Sequence, residues 1–336
     1  MVAVKAFGNF EGKRVDQFTL TSASGVEVDL INWGVTVRDW RVPVRGDMRS
    51  VVLGLERFDD YPKHSPHFGS LAGRVANRIA GASFEMGGKT YTLPANENGS
   101  TLHGGPEGIG RLVWDTDINS TGAAVRFSLV SPDGAMGFPG ALALTATYTL
   151  SGNRLKLELG ATTDRPTPVS LVQHQYFNLG TSEHVLDHRY RLAAAAFTEV
   201  DDKLIPTGNI IEAKPGAERD FRTARTLRDA GGKPIDYDGN WVLDTGRDPA
   251  DPVAIVTAPD GELTLTLKTD RPGLQFYNGV MTNVAVSGLG GKRYGQYSGF
   301  CIEDQAFPDA LHHPHFPNII ITPDRPYSHW CESEIS

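Results

Sequence analysis

The stretch ALALTATYTLSGNRLKLEL (141–159) alternates with a period of two. Leu142, Leu144, Ala146, Tyr148 and Leu150 fall on one face, and threonines fill much of the other. After Ser151-Gly152-Asn153 turns the chain, Leu155, Leu157 and Leu159 alternate again. A helix would repeat every ~3.6 residues, so this pattern specifies a hairpin half buried against a core. A second hairpin is expected over 253–269. There VAIVTA meets the turn Pro259-Asp260-Gly261, and Leu263, Leu265 and Leu267 then alternate with Thr264, Thr266 and Lys268. Residues 26–43, VEVDLINWGVTVRDWRVP, read as two more strands around Gly34.

Helical signals are weak. The 37 glycines and 21 prolines leave few windows for a multi-turn helix. Helical turns are expected only near 55–61 (LERFDDY) and 222–230 (RTARTLRDA). No repeat, linker or low-complexity segment divides the 336 residues. The reading is therefore an all-β protein, one large antiparallel sandwich with few short helices, in a single domain over 1–336.

Composition narrows the class. The chain is 40% apolar and 21% charged, with a net charge of −8, which fits a soluble protein and argues against nucleic acid. Two cysteines, Cys301 and Cys331, are too few for a disulfide framework. The opening MVAVKAFGNFEGKRVDQF has no basic segment followed by an apolar run, and no stretch approaches the ~18 apolar residues of a membrane span. A cytoplasmic location with no membrane partner is expected.

Several polar residues sit in costly places. In SLVQHQYFNLG (170–180), extended backbone puts His174, Tyr176 and Asn178 on one face and Gln173, Gln175 and Phe177 on the other. From this segment alone a hydrogen-bonded core histidine is the better reading. In GFCIEDQAFPDA (299–310), Glu303 ends an apolar run, at a solvent-exposed strand end or in a pocket where burial would make it a better base. Asp304 would point to the opposite face, so the two are not a paired-carboxylate site. GRVANRI (73–79) offers Arg74, Asn77 and Arg78; TLHGG (101–105) offers His103, with glycines that would let backbone pass close to a ligand. Asp238 in DYDGNWVL and Gln275 in GLQFYNG are ordinary turn and strand residues when read alone.

Taken together these segments are similar to the galactose mutarotase (aldose 1-epimerase) family. The ordered markers are NWGVTV (32–37), VVLGLERFDDY (51–61), FGSLAGRVANRIA (68–80), LHGG (102–105), GFPG (137–140), QHQYFNLG (173–180), DYDGNW (236–241), GLQFYNG (273–279) and GFCIEDQAFPDALHHPHFPN (299–318). The resemblance implies a β-supersandwich and a cofactor-free isomerase that interconverts the α and β anomers of a free monosaccharide. It implies Glu303 as general base and His174 as general acid, with Asn77, Arg78, His103, Tyr176, Asp238 and Gln275 binding the sugar. Arg78 is the candidate to stabilise developing negative charge near the ring oxygen. Reference pKa values of ~4.3 and ~6.5 suggest a charged carboxylate beside a partly protonated imidazole near neutrality. No metal is implied, and a monomer or loose dimer is the expected state. The chain departs from the family's pattern at Gln173, Gln175 and Gly239. The last stands where a histidine often follows the binding aspartate, an expected change to the pocket rim that leaves galactose, glucose, xylose and arabinose open as substrates.

Three alternatives compete. A hexose-6-phosphate 1-epimerase would need a basic cluster for the phosphate, and Arg74 with Arg78 is thin support. A non-catalytic sugar-binding protein would be expected to lose the acid or the base. A metalloenzyme would draw on His312, His313 and His315, but adjacent histidines diverge on extended backbone and Pro314 blocks helical spacing.

Overall fold

The computed structural model describes residues 1–119, 122–244 and 246–336. Both expected hairpins form. Strands Leu142–Ser151 and Arg154–Thr163 pair antiparallel from Ser151↔Arg154, leaving Gly152 and Asn153 as the loop. Gly152 takes φ +58°, the left-handed conformation that a tight turn demands and glycine supplies without steric cost. Leu142, Leu144, Ala146, Tyr148 and Leu150 are buried on one face, as are Leu155, Leu157, Leu159 and Ala161 across the pair. Ala254–Thr257 and Thr264–Thr269 form the second hairpin. Glu27–Ile31 and Thr36–Val44 flank Gly34. A side chain at Gly34 would lie 2.2 Å from the Gly110 carbonyl oxygen, which is why the turn needs glycine.

These strands build three main antiparallel sheets. The first five strands, from Val2–Phe10 to Asp47–Ser50, run in sequence order as a meander. An eight-stranded sheet runs in the order Asp115–Asn119, Ala124–Ser131, Leu142–Ser151, Arg154–Thr163, Tyr327–Ile335, Thr264–Thr269, Ala254–Thr257 and Arg189–Leu192. A second five-stranded sheet runs Pro206–Glu212, Ala194–Val200, Asp238–Leu243, Gly273–Tyr277 and Cys301–Gln305. One face of this last sheet, carrying Leu274, Phe276 and Ile302, shares a continuous apolar core with Leu157, Leu159 and Leu265 of the eight-stranded sheet. Burial of such side chains contributes roughly 1.5–3 kcal/mol each. The other face carries the polar residues of the cleft described below. Among the described residues no helix is long and apolar enough to cross a membrane.

Two helical expectations change. The turn expected at 55–61 falls later, as a 3-10 turn over Phe58–Asp60 running into Tyr61–His64. The segment 222–230 is not helical. Arg225 bridges Tyr190, and Leu227 N–H donates to Leu186 O, so its backbone is paired with neighbouring extended chain. Phe221 and Leu227 are buried by that pairing, which outweighs the weak helical propensity of so short a segment.

Candidate active site

Strand alternation aims the side chains. Asp238↔Tyr277, Asn240↔Gln275 and Gln275↔Glu303 are register partners, so Asp238, Gln275, Tyr277 and Glu303 project from one face of the five-stranded sheet. Opposite them runs the extended segment 170–180. Only Val172–Gln173 is in a ladder, yet His174 and Tyr176 face the cleft, while Gln173, Gln175 and Phe177 turn back toward Asp304 and Leu157. The third wall comes from the short pair Arg78–Ile79 and Thr101–Leu102, with Asn77 and His103 at its ends. A cleft of about 180 Å³ results, lined by every residue expected to act on sugar: Asn77, Arg78, His103, His174, Tyr176, Asp238, Gln275 and Glu303.

His174 Nε2 stands 3.6 Å from Glu303 Oε2, with both side chains almost fully buried. Burial drives Glu303 well above the ordinary carboxyl range, and the like charge of Asp238 adds to the effect. Burial, reinforced by His67, pushes His174 down to about 3. The free values suggested a charged pair; desolvation favours the neutral forms of both groups. Glu303 Oε2 and Gln275 Oε1 are buried without a hydrogen-bond donor. Two adjacent unpaired acceptors call for a ligand that brings hydroxyl donors.

His103 has a defined tautomer. Its Nδ1 accepts the Asn77 backbone N–H at 3.2 Å, and the His103 backbone N–H donates to Asn77 O at 3.0 Å. With Nδ1 accepting, the neutral ring carries its proton on Nε2 and is a donor toward the cleft. Burial keeps it neutral by lowering its pKa well below the ordinary imidazole value. His103, His174 and Glu303 lie close enough to hold a metal ion, but a His103 ring fixed this way has no free lone pair to ligate one. A second close group, Asp304, His329 and Cys331, is buried behind the sheet, and His329 Nε2 and Thr269 Oγ1 are already hydrogen-bonded to Asp304 Oδ2 at 2.7 and 2.5 Å.

Arg78 is bound on two sides. It pairs with Glu97 at 2.5 and 3.2 Å, and its Nη2 lies 3.8 Å from Asp238 Oδ2. Asp238 in turn accepts Gln275 Nε2 at 2.6 Å. Tyr176 spends its hydroxyl on Pro66 O and offers a ring face, stacked 5.1 Å from His174 at 15°.

Some expectations move. Arg74 is not in the cleft; it donates to carbonyls of Ser131, Pro132, Pro139 and Gly140, holding the GFPG loop. Gly104 serves close backbone packing rather than a ligand, since a side chain there would meet Gly73 O at 2.1 Å. Gly239 lies on the face away from the cleft, against Arg219 and Trp241, so it does not shape the rim. Of the loop histidines, His312 pairs with Asp309, while His313 and His315 donate to Pro206 O and Gly208 O.

His67, Glu97, Tyr277, Met281 and Thr282 also line the cleft, without being expected there from sequence. Tyr277 was recoverable, two residues beyond Gln275 on the same strand face. Glu97 was not, because its partnership with Arg78 arises from chain folding between distant segments.

The chain is similar to known proteins over nearly its whole length. A family model described as Aldose 1-epimerase matches residues 16–334. Galactose mutarotase from Rattus norvegicus is 38% identical over 327 residues, covering 95% of this chain and 93% of the relative. Aldose 1-epimerase from Escherichia coli K12 is 33% identical over 333 residues, covering 96% and 95%. Among solved structures, an aldose epimerase homologue from Caenorhabditis elegans matches with a TM-score of 0.89 at 27% identity, over 99% of each chain. Galactose 1-epimerase from Lactobacillus acidophilus matches at 0.85 and 26%, over 100% and 98%.

Proposed function

The chain belongs to the aldose 1-epimerase family, and from that premise we propose that it interconverts the anomers of a free aldose by acid–base ring opening and reclosure, with Glu303 as base and His174 as acid. The match over 16–334 supports reading the whole chain as one catalytic domain. The observation that carries the reading is the facing of His174 and Glu303 across a cleft whose unpaired acceptors suit sugar hydroxyls.

The pair shares one proton: burial rests it on Glu303, and the reactive form carries it on His174, 3.6 Å away. Glu303 carboxylate takes the C1 hydroxyl proton as His174 imidazolium protonates the ring oxygen, and the C1–ring oxygen bond breaks. The enzyme then holds Glu303 protonated and His174 neutral, the form that burial favours. The aldehyde turns about C1–C2, the C5 hydroxyl attacks its other face, Glu303 returns its proton to the C1 oxygen, and His174 takes the hydroxyl proton. No redox change or group transfer occurs, so the reaction itself asks for no cofactor. For Nε2 to exchange the proton, the other ring proton must stay on Nδ1. The Cys301 sulfur, 3.5 Å from Nδ1, is placed to accept it.

Substrate class follows from charge. The cleft offers one cation, Arg78, which is already paired with Glu97 and lies near Asp238, so no free positive charge awaits a phosphate. A dianionic phosphate would lack a counter-charge there, which disfavours a sugar phosphate. Polarimetry on freshly dissolved α-D-galactose, α-D-glucose and α-D-xylose, beside glucose 6-phosphate, tests this. Acceleration of free sugars alone is expected; a preference for the phosphate ester would reject it.

A further inference from the structure

Three residues of the cleft wall share an unusual backbone. Asn77, His103 and His67 are all non-glycine residues in the left-handed region, at φ +59°, +52° and +68°. Such conformations cost energy and persist where surrounding structure holds them, and they gather at ligand sites. The first two belong to the set that family resemblance assigns to sugar binding. His67 was reached by no motif, yet the structure treats it the same way.

Its backbone is fixed from several directions. Ser70 donates to His67 O through both N–H and Oγ, Phe68 N–H donates to Ser65 Oγ, and the Tyr176 hydroxyl holds Pro66 O. The ring therefore has a set direction, into the cleft, 4.7 Å from the His103 ring and nearly parallel to His174 at 5.8 Å. A column of His67, His174 and Tyr176 rings results. Unlike His103, whose Nδ1 is bound to backbone, the His67 ring makes no side-chain hydrogen bond among the described residues, although the backbone around it is tied down. Burial lowers its pKa to about 4, so the ring is neutral near pH 7, with one donor and one acceptor free for a hydroxyl.

We propose that His67 contacts the sugar directly and helps set which aldose the cleft accepts. This rests on the sugar-binding reading of the cleft but not on the acid–base assignment. A residue so placed would act mainly on binding, so its removal should raise KM more than it lowers kcat.

The test measures wild type, H67F and H67N by calorimetric titration with galactose, glucose, xylose and arabinose, and by mutarotation kinetics on the same sugars. H67F keeps a ring against His174 and removes both nitrogens; H67N keeps a polar group and tolerates the left-handed backbone. Expected is a loss of affinity of about tenfold in H67F for at least one sugar, with a changed order among the sugars and partial recovery in H67N, at unchanged melting temperature. Unchanged affinities and order in a folded H67F would overturn the inference. So would a loss that H67N does not recover, since that pattern is steric. If wild type binds sugar without accelerating mutarotation, the catalytic reading fails while the His67 comparison is decided by titration alone. If wild type binds no sugar, both fall.

Discussion

His174 and Glu303 meet at 3.6 Å from opposite walls, one on an extended segment outside the main sheets and one on the edge strand of a five-stranded sheet. Each is flanked in the chain by polar residues that turn the other way. Gln173 and Gln175 beside His174, and Asp304 beside Glu303, all reach the same enclosed space behind the cleft. His174 and Glu303 are thus held at the front of two backbones whose alternate side chains pack together at the rear.

The opposed shifts of the pair fix a pH profile. The productive pair carries one proton. As pH falls through the lowered His174 value, about 3, the pair gains a second proton; as pH rises through the raised Glu303 value, it loses its only one. Activity is expected on a plateau whose acid limb lies well below the ordinary imidazole value of ~6.5. The check is kcat/KM against pH, corrected for the spontaneous rate, and an acid limb near the free imidazole value would contradict it.

Cys301 is expected to position His174 rather than react. Burial pushes its thiol well above the ordinary range, so it stays protonated and its sulfur is a weak acceptor. C301A should lower kcat by roughly threefold to tenfold with little change in KM, and C301S should restore most of it. Steady-state kinetics of the two variants check this, and a C301S enzyme no better than C301A would contradict it.

Arg78 balances three carboxylates. R78A removes the partner of Glu97 and leaves Asp238 and Glu303 facing each other without a cation. A fall in kcat/KM of about 100-fold is expected, with the alkaline limb moving upward as Glu303 holds its proton more tightly. R78K keeps the charge but not the two-point pairing, so an intermediate loss should appear. Unchanged turnover in R78A would remove Arg78 from the mechanism.

Much of this was legible in the sequence. Period-two runs such as Leu142–Leu150 specify strand faces because apolar burial dominates there. His174 and Glu303 were legible as paired only through family resemblance, since nothing local brings residue 174 to residue 303. What stayed hidden depended on chain crossings: Glu97 against Arg78, and His67 against His174. The helical turn expected near 222–230 does not form because its backbone pairs with Leu186 and Tyr190, which lie far away in the chain.

Gly239 pairs with Phe276 on the face of the sheet away from the cleft. Its absent side chain would point at Arg219 Nη1, 3.1 Å from the Cβ position, and not into the cleft. G239H is therefore expected to leave the order of sugar preference unchanged, while costing roughly 1 kcal/mol or more in stability by crowding Arg219 and Trp241. Kinetics on the four sugars and thermal melting check both halves.

Glu303 is proposed as the base. The most direct measurement is the rate of anomer exchange, read by NMR of the anomeric protons, for wild type and E303Q on the best free aldose. Glutamine keeps the shape and removes the proton acceptor. Clear acceleration by wild type is expected, with a loss of at least about 1,000-fold in E303Q and sugar still bound. A folded E303Q that exchanges anomers at near wild-type rate would contradict it.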